Sequence, residues 1–194
     1  DLIKFTGVNP EKITVTLESA DELPKGNEPV DELIGKKFIM YIGRPTPHKN
    51  LRRLIDAFAL LQKKYPELTL ALAGKKDSNY ARHETYVNEH GIKNVVFTGF
   101  ISDEQLRWMY ENTAVYCFPS LSEGFGLPGL EAMLHGAPVA SSTATCLPET
   151  HGDAAHYFDP FSVEDIAKSI DDILSDDKLR NELVKKGKKH VKTF

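Results

Sequence analysis

Three stretches of this sequence combine residue types that could hold an anion, a diol or a flat ring. The first is Gly43-Arg44-Pro45-Thr46-Pro47-His48-Lys49-Asn50. Gly43 allows a tight turn, and Arg44 and Lys49 set two cations close to a helix start. A helix N-terminus favours anions and not cations. Both preferences are met if an anion sits between them, because a phosphate takes a guanidinium fork, an ammonium and helix amides together. A solvated basic loop accounts for the same spacing.

The second stretch is Ser120-Leu121-Ser122-Glu123-Gly124-Phe125-Gly126-Leu127-Pro128-Gly129-Leu130-Glu131. Gly124 and Gly126 free the backbone to present amides just before a helix, which makes a second anion-holding corner. Glu123 and Glu131 frame it. A carboxylate beside a phosphate is repelled unless it has work of its own, such as accepting from a vicinal diol. Glu131 is the candidate for a ribose and Glu123 for the hydroxyls of a transferred sugar. For Glu131, an acid that stabilises the helix dipole from the first turn is the competing account. The third stretch is Gly99-Phe100-Ile101-Ser102. Main-chain groups and an apolar wall there suit a flat base, and a plain capped strand-to-helix turn explains it equally well.

These stretches must be positioned by strands and helices. Apolar runs rich in β-branched and aromatic residues lie at 13–17, 38–42, 68–73, 95–98, 114–118, 138–141 and 155–158. Most are apolar throughout, as in strands covered on both faces. Helical patterns lie between them. Leu51, Leu54, Ile55, Phe58 and Leu61 share one face. Residues 79–90 form a further pattern, stopped by Gly91. Ser102-Asp103-Glu104-Gln105 reads as a capping box. Pro128 suits the first turn of a helix that Gly136 stops. Further helices start at Ser162 and near Asp177. The alternation predicts an α/β fold with a parallel, doubly wound, Rossmann-like sheet. Residues 20–35 read as a surface loop with a short helix. In such a sheet ligands bind beyond the carboxyl ends of the strands, and all three stretches follow strands.

The 194 residues fit one domain of ordinary size. A net charge of −4 argues against a general nucleic-acid binder. No apolar run reaches the roughly 20 residues of a membrane span. The chain opens Asp1-Leu2-Ile3-Lys4, without Met and without a signal peptide, and is expected to be a piece of something longer. Cys117 and Cys146 lack the number and spacing of a zinc site or disulfide framework and read as reduced thiols in a cytoplasmic setting. No two of the seven histidines form a metal-type pair. His48 could help hold an anion or be an exposed loop residue, and His135 suits a helix C-terminus. Trp108 fills core or packs on a partner. The lysine-rich run 185–189 reads as a solvated helix face, with a lipid-facing role as the alternative.

The order and wording of the three stretches resemble the C-terminal, donor-binding domain of family 4 retaining glycosyltransferases of the GT-B fold. The residues that carry the resemblance are Gly43, Arg44, Lys49 and Asn50, then Glu123 and Glu131 with seven residues between them, then Gly124 to Pro128. Leu147-Pro148-Glu149-Thr150, Gly152-Asp153-Ala154-Ala155, Phe158-Asp159-Pro160 and Val8-Asn9-Pro10-Glu11-Lys12-Ile13 are similar to the family too, so that the likeness runs from about residue 8 to residue 174.

The resemblance implies one half of a GT-B fold, with the acceptor-binding N-terminal half absent from this chain. It implies that Arg44 and Lys49 neutralise the diphosphate of a nucleoside diphosphate sugar, with no metal and no other cofactor. Glu123 would meet the donor sugar. Gly43, Gly124, Phe125 and Gly126 would lie against sugar and phosphates, Leu127 and Glu131 against the ribose, and Phe100 and Ile101 against the base. The acceptor would be a glycan or a lipid-linked sugar, in the cytoplasm or at the inner face of the membrane. The wording around residues 44–50 and that of Thr16-Leu17-Glu18 resemble bacterial cell-surface mannosyltransferases and lean towards mannose from GDP-mannose, with UDP-sugars close behind. A non-catalytic nucleotide-sugar module, or another GT-B enzyme such as an epimerase, remains the alternative. Alone, this chain is expected to bind donor weakly and to transfer nothing.

Overall fold

A computed structural model of the chain describes residues 2–16, 18–26 and 28–194. The described residues carry strands β1 (Phe38–Ile42), β2 (Thr69–Ala73), β3 (Val95–Gly99), β4 (Val115–Phe118), β5 (Val139–Ser142) and β6 (Ala155–Phe158). The helices are α1 (Leu2–Thr6), α2 (Leu51–Leu61), α3 (Ser78–Glu89), α4 (Asp103–Asn112), α5 (Leu127–Leu134), α6 (Leu147–His151), α7 (Val163–Ser175) and α8 (Asp177–His190). All strand pairings are parallel, in the order β3-β2-β1-β4-β5-β6. This is the doubly wound arrangement, and its order reverses between β1 and β4.

The strands are buried on both faces because their side chains alternate between two cores. Ile39, Tyr41, Leu70, Leu72, Val115 and Cys117 join the helices α2 and α7 through Leu54, Phe58, Ile166 and Ile170. Phe38, Met40, Ala71, Tyr116, Phe118 and Val139 join α4 and α5 through Leu106, Met109, Leu130 and Met133. Burying side chains of this size stabilises by roughly 1.5–3 kcal/mol each, so the apolar face of α2 alone holds that helix to the sheet.

The seventh expected strand, at 13–17, is not seen among the described residues. Residues 13–16 have no ladder partner, and Val15 is exposed, while Leu17 lies outside the described residues. A run of β-branched residues becomes a strand only where a sheet edge accepts its backbone groups, and here none does. Two short helices, α1 and α6, have no strong sequence periodicity and were not anticipated. Of the expected loop at 20–35, residues 20–26 and 28–35 form a loop with one 3₁₀ turn, Asp31–Leu33, pinned by the buried Val30 and Leu33, and Asn27 lies outside the described residues.

Three further expectations are decided by packing. Trp108 stacks on Phe38 at a ring separation of 6.0 Å, on the core side. Cys117 and Cys146 are both free thiols. His135 stands at the C-terminus of α5 but does not serve as a cation there. It is buried, its Nε2 accepts from the Leu23 amide at 3.3 Å, and burial pushes its pKa down. An acceptor nitrogen carries no proton, so the ring is neutral.

Candidate nucleotide-sugar site at the switch point

The reversal of strand order opens a crevice between the carboxyl ends of β1 and β4. β1 runs into residues 43–50 and β4 into residues 119–126, so the fold itself brings the first two stretches side by side. The Leu121 amide donates to the His48 carbonyl at 2.7 Å and ties them together. Asn50 ties them again. It is 4 % exposed, takes a left-handed φ of 61° at the start of α2, and its Nδ2 donates to the carbonyls of Pro119 at 2.9 Å and Pro160 at 2.8 Å.

Gly43 turns the chain out of β1 with φ 147°, and a Cβ there would meet the Tyr41 hydroxyl at 2.6 Å. Its carbonyl lies 3.0 Å from the Tyr80 hydroxyl, which is also 2.7 Å from the Ala73 carbonyl. Burial raises the pKa of Tyr80, so it stays a donor.

The Lys49 ammonium meets Glu123 Oε1 at 2.6 Å. Their side chains are 22 % and 11 % exposed, so little solvent screens the pair. Glu123, Gly124, Ser122 and His48 line an open cavity of about 540 Å³. His48 itself is exposed.

Arg44 is placed differently. Its side chain is 79 % exposed and leans towards Asp77 at 3.7 Å. Asp77 caps α3 by accepting from the amides of Tyr80 and Asn79, and these bonds with the neighbouring Arg44 hold its carboxyl below the usual range. The two cations expected to share an anion are thus drawn apart, each by the nearest carboxylate. Arg44 retains a long, solvated arm at the rim.

Residues 119–126 are fastened mostly by the end of β5 and the segment that follows it. Ser142 Oγ donates to the Ser120 carbonyl at 2.6 Å. The Glu123 amide donates to Thr145 Oγ1 at 3.1 Å. The Cys146 thiol lies 3.4 Å from the Glu123 carbonyl and 3.3 Å from that of Phe125. Gly126 closes the turn with φ 103°. Gly124 has no positive φ, and a Cβ there would meet open space, so only Gly126 of the two is demanded by the backbone. Phe125 and Leu127 are half-buried, and Phe125 meets Phe194 edge-on at 5.7 Å.

Glu131 is the fifth residue of α5, beyond the first turn, which removes the dipole account of it. Its Oε2 accepts from the Tyr110 hydroxyl at 3.2 Å. Burial raises the pKa of its carboxyl. Phe100 follows β3 and is 84 % exposed, whereas Ile101 packs half-buried on the second core. Both border a cavity of about 320 Å³ with Glu28, Asp31, Glu32 and Gln105.

Helix starts separate into two kinds. Asp77, Ser102, Ser162 and Asp176 cap α3, α4, α7 and α8 with their side chains, Ser102 and Gln105 completing the capping box. α2 and α5, which begin at the crevice, have no side-chain cap, and neither has the short α6. Uncapped helix amides are donors in search of an acceptor.

Sequence reasoning did not assign roles to Asn50, Tyr110, Thr145 and Cys146. Each acts on carbonyls, amides or a carboxylate distant in the chain, and no local spacing records such bonds.

Comparisons with known proteins identify the family and the fold. The chain is 35 % identical over 168 residues to O-antigen chain mannosyltransferase B of Escherichia coli, covering 84 % of this chain and 43 % of that protein. It is 30 % identical over 178 residues to MMP alpha-(1->4)-mannosyltransferase of Mycolicibacterium hassiacum, covering 90 % and 42 %. It therefore spans less than half of either relative. Among solved structures, the C-terminal domain of a glycosyl transferase group 1 family protein from Francisella tularensis superposes with a TM-score of 0.72 at 31 % identity, covering 82 % of this chain and 86 % of that one. Residues 26–190 match the family described as Glycosyl transferases group 1, and the chain belongs to that family, as part of the C-terminal half of a GT-B fold.

Proposed function

We propose that this chain is the donor-holding half of a retaining glycosyltransferase that moves a hexose, mannose from GDP-mannose in the first instance, to a glycan or lipid-linked acceptor. One observation carries the reading: the half-buried Lys49–Glu123 pair at 2.6 Å, set at the switch point beside two uncapped helix starts. A lone nucleotide phosphate would need only the cation. A diphosphate joined to a sugar needs a cation for the phosphates and an acceptor for hydroxyls, next to each other, and the pair supplies both.

As the bond between anomeric carbon and phosphate breaks, the leaving diphosphate gains negative charge. Lys49 and the free amides of α2 and α5 are positioned to stabilise that charge more than they stabilise the ground state. Arg44 adds a flexible second cation from the rim. The charge work thus falls to side chains and amides, and the reading calls on no metal. Glu123, released as Lys49 turns to phosphate, takes sugar hydroxyls. Glu131 takes the ribose, and Phe100 with Ile101 borders the base. The relatives named for mannosyl transfer favour mannose, and a UDP-sugar is the second candidate. The acceptor would enter from a second Rossmann-like half, which completes the cleft.

Calorimetric titration of this chain with GDP, UDP and ADP tests the reading. Selective binding of GDP supports it, and selective binding of UDP moves the donor to the second candidate. Failure to bind any of the three overturns it.

A further inference from the structure

His151 ends α6 and is fully buried, far in sequence from the turn at 119–126. Its Nε2 lies 3.2 Å from the Gly126 carbonyl and its Nδ1 lies 3.1 Å from Ser141 Oγ. The ring tilts against Phe118 at 5.6 Å. We propose that His151 is a positioning residue for donor binding, whose single Nε2 proton holds the Gly126 carbonyl inward and thereby sets the amide that opens α5. The part of this that concerns donor rests on the function proposed above.

The proton assignment follows from the partners. A carbonyl only accepts, so Nε2 must carry a hydrogen. Burial pushes the pKa of the ring down to about 4, outweighing the Gly126 bond and the neighbouring charge of Glu123, which raise it, and adding to the effect of His190, which lowers it. At neutral pH the ring therefore has one proton, on Nε2. Nδ1 presents its lone pair and takes the Ser141 hydroxyl hydrogen. The Gly126 carbonyl alone fixes this tautomer, and the Ser141 hydroxyl, which can donate or accept and also lies 3.3 Å from the Ser142 carbonyl, is compatible with it.

The Gly126 carbonyl also accepts from the Gly129 amide at 3.0 Å, the first bond of α5. With two donors on one oxygen, the peptide between Gly126 and Leu127 has little freedom to rotate. That peptide is planar and trans, so a C=O held towards the ring holds the Leu127 N–H on the opposite side. This amide is among the uncapped donors of α5. The local sequence makes room for the ring. A Cβ at Gly129 would overlap the imidazole, and one at Gly126 would come within 3.3 Å of Nε2. The two ring nitrogens join two parts of the fold, the β4-to-α5 turn through Gly126 and strand β5 through Ser141.

Two variants separate positioning from packing. The amide of His151→Gln reaches the place of Nε2, and that of His151→Asn reaches the place of Nδ1. The expected result is that His151→Gln keeps GDP affinity within about threefold of the parent chain, while His151→Asn, which serves Ser141 only, loses about tenfold, one hydrogen bond's worth. Ile170→Val, in the core on the other face of the sheet, loses stability without losing affinity. In the parent chain, a long-range ¹H–¹⁵N histidine spectrum at neutral pH is expected to show the neutral ring protonated on Nε2, and the Leu127 amide signal is expected to move in His151→Asn. Equal affinities in the two variants, or a ring protonated on Nδ1, overturn the inference. If the parent chain binds no nucleoside diphosphate, the proposed function fails, and the histidine spectrum with the Leu127 amide signal still decides the role of His151. If neither variant folds, the histidine spectrum of the parent chain decides it, and a ring protonated on Nδ1 overturns the inference.

Discussion

The helix starts at the crevice, α2 and α5, and those of the long helices α3, α4, α7 and α8 differ in how their first amides are satisfied. α3, α4, α7 and α8 each begin with an Asp or Ser whose side chain accepts from them. α2 and α5 begin instead with Asn50 and Gly126 in left-handed conformations. The Asn50 Nδ2 donates to the Pro119 and Pro160 carbonyls and its Oδ1 accepts from the Arg53 side chain, so it caps no amide of its own helix. The capped starts are finished locally and contribute stability. The crevice starts are braced from behind and leave donors open, which is how a binding surface differs from a structural one. Each variant below falls on one side of that division.

Lys49→Met carries the largest expected effect. It removes the cation between the two open helix starts and strands a Glu123 carboxylate that is nearly buried. GDP affinity should fall about 100-fold by calorimetry, as for loss of a charge-assisted bond. A fall no greater than that of a capping variant would break the comparison. Next comes Asn50→Asp, which tolerates the left-handed φ but replaces the donor with a carboxylate facing two carbonyls. Chemical denaturation should show a loss of about 2 kcal/mol or more. An unchanged midpoint would mean that Asn50 does not brace the crevice.

Glu131→Gln sharpens the comparison through its pH dependence. Burial raises the pKa of Glu131, so the folded chain binds that proton more tightly than the unfolded chain does. Stability contributed by this group is therefore greatest in acid and is lost as pH rises from the ordinary carboxyl range through the raised value. The glutamine has no charge to desolvate. Its thermal midpoint should exceed the parent's at pH 7, with the gain vanishing in acid, while nucleotide affinity falls about tenfold. A variant that gains stability and binds as well as the parent would remove Glu131 from the site.

Ser102→Ala belongs to the other side. It dismantles the capping box of α4 and should cost about 1 kcal/mol of stability with no change in GDP affinity. Arg44→Ala is expected to have the smallest effect, a loss of affinity of about threefold that disappears at high salt, since the arm is solvated and already leans on Asp77. A loss as large as that of Lys49→Met would show that Arg44 swings inward to share the anion after all.

Much of the fold was legible in the chain, for identifiable reasons. Six of the seven strand assignments correspond to strands, because central strands covered on both faces read as unbroken apolar runs. The capping box at Ser102 and the helix starts at Ser162 and Pro128 were readable because caps are local chemistry. The strand at 13–17 was misread because a β-branched run does not reveal whether a sheet edge awaits it. Of the candidate site residues, structure brought Lys49 and Glu123 into contact, put Glu131 on Tyr110, and left Arg44 and Phe100 at the rim.

Residue types and spacing by themselves determined that a cationic turn and a glycine-rich, acid-flanked turn each follow a strand and precede a helix, since both properties are recorded within a few consecutive residues. Tertiary structure alone decided that these two turns are neighbours, that Lys49 meets Glu123 while Arg44 leans on Asp77, and that Asn50, Thr145, Cys146 and His151 bond to the turns. Strand order sets which loops share a crevice, and bonds between side chains and distant carbonyls depend on that order, so no periodicity along the chain can encode them.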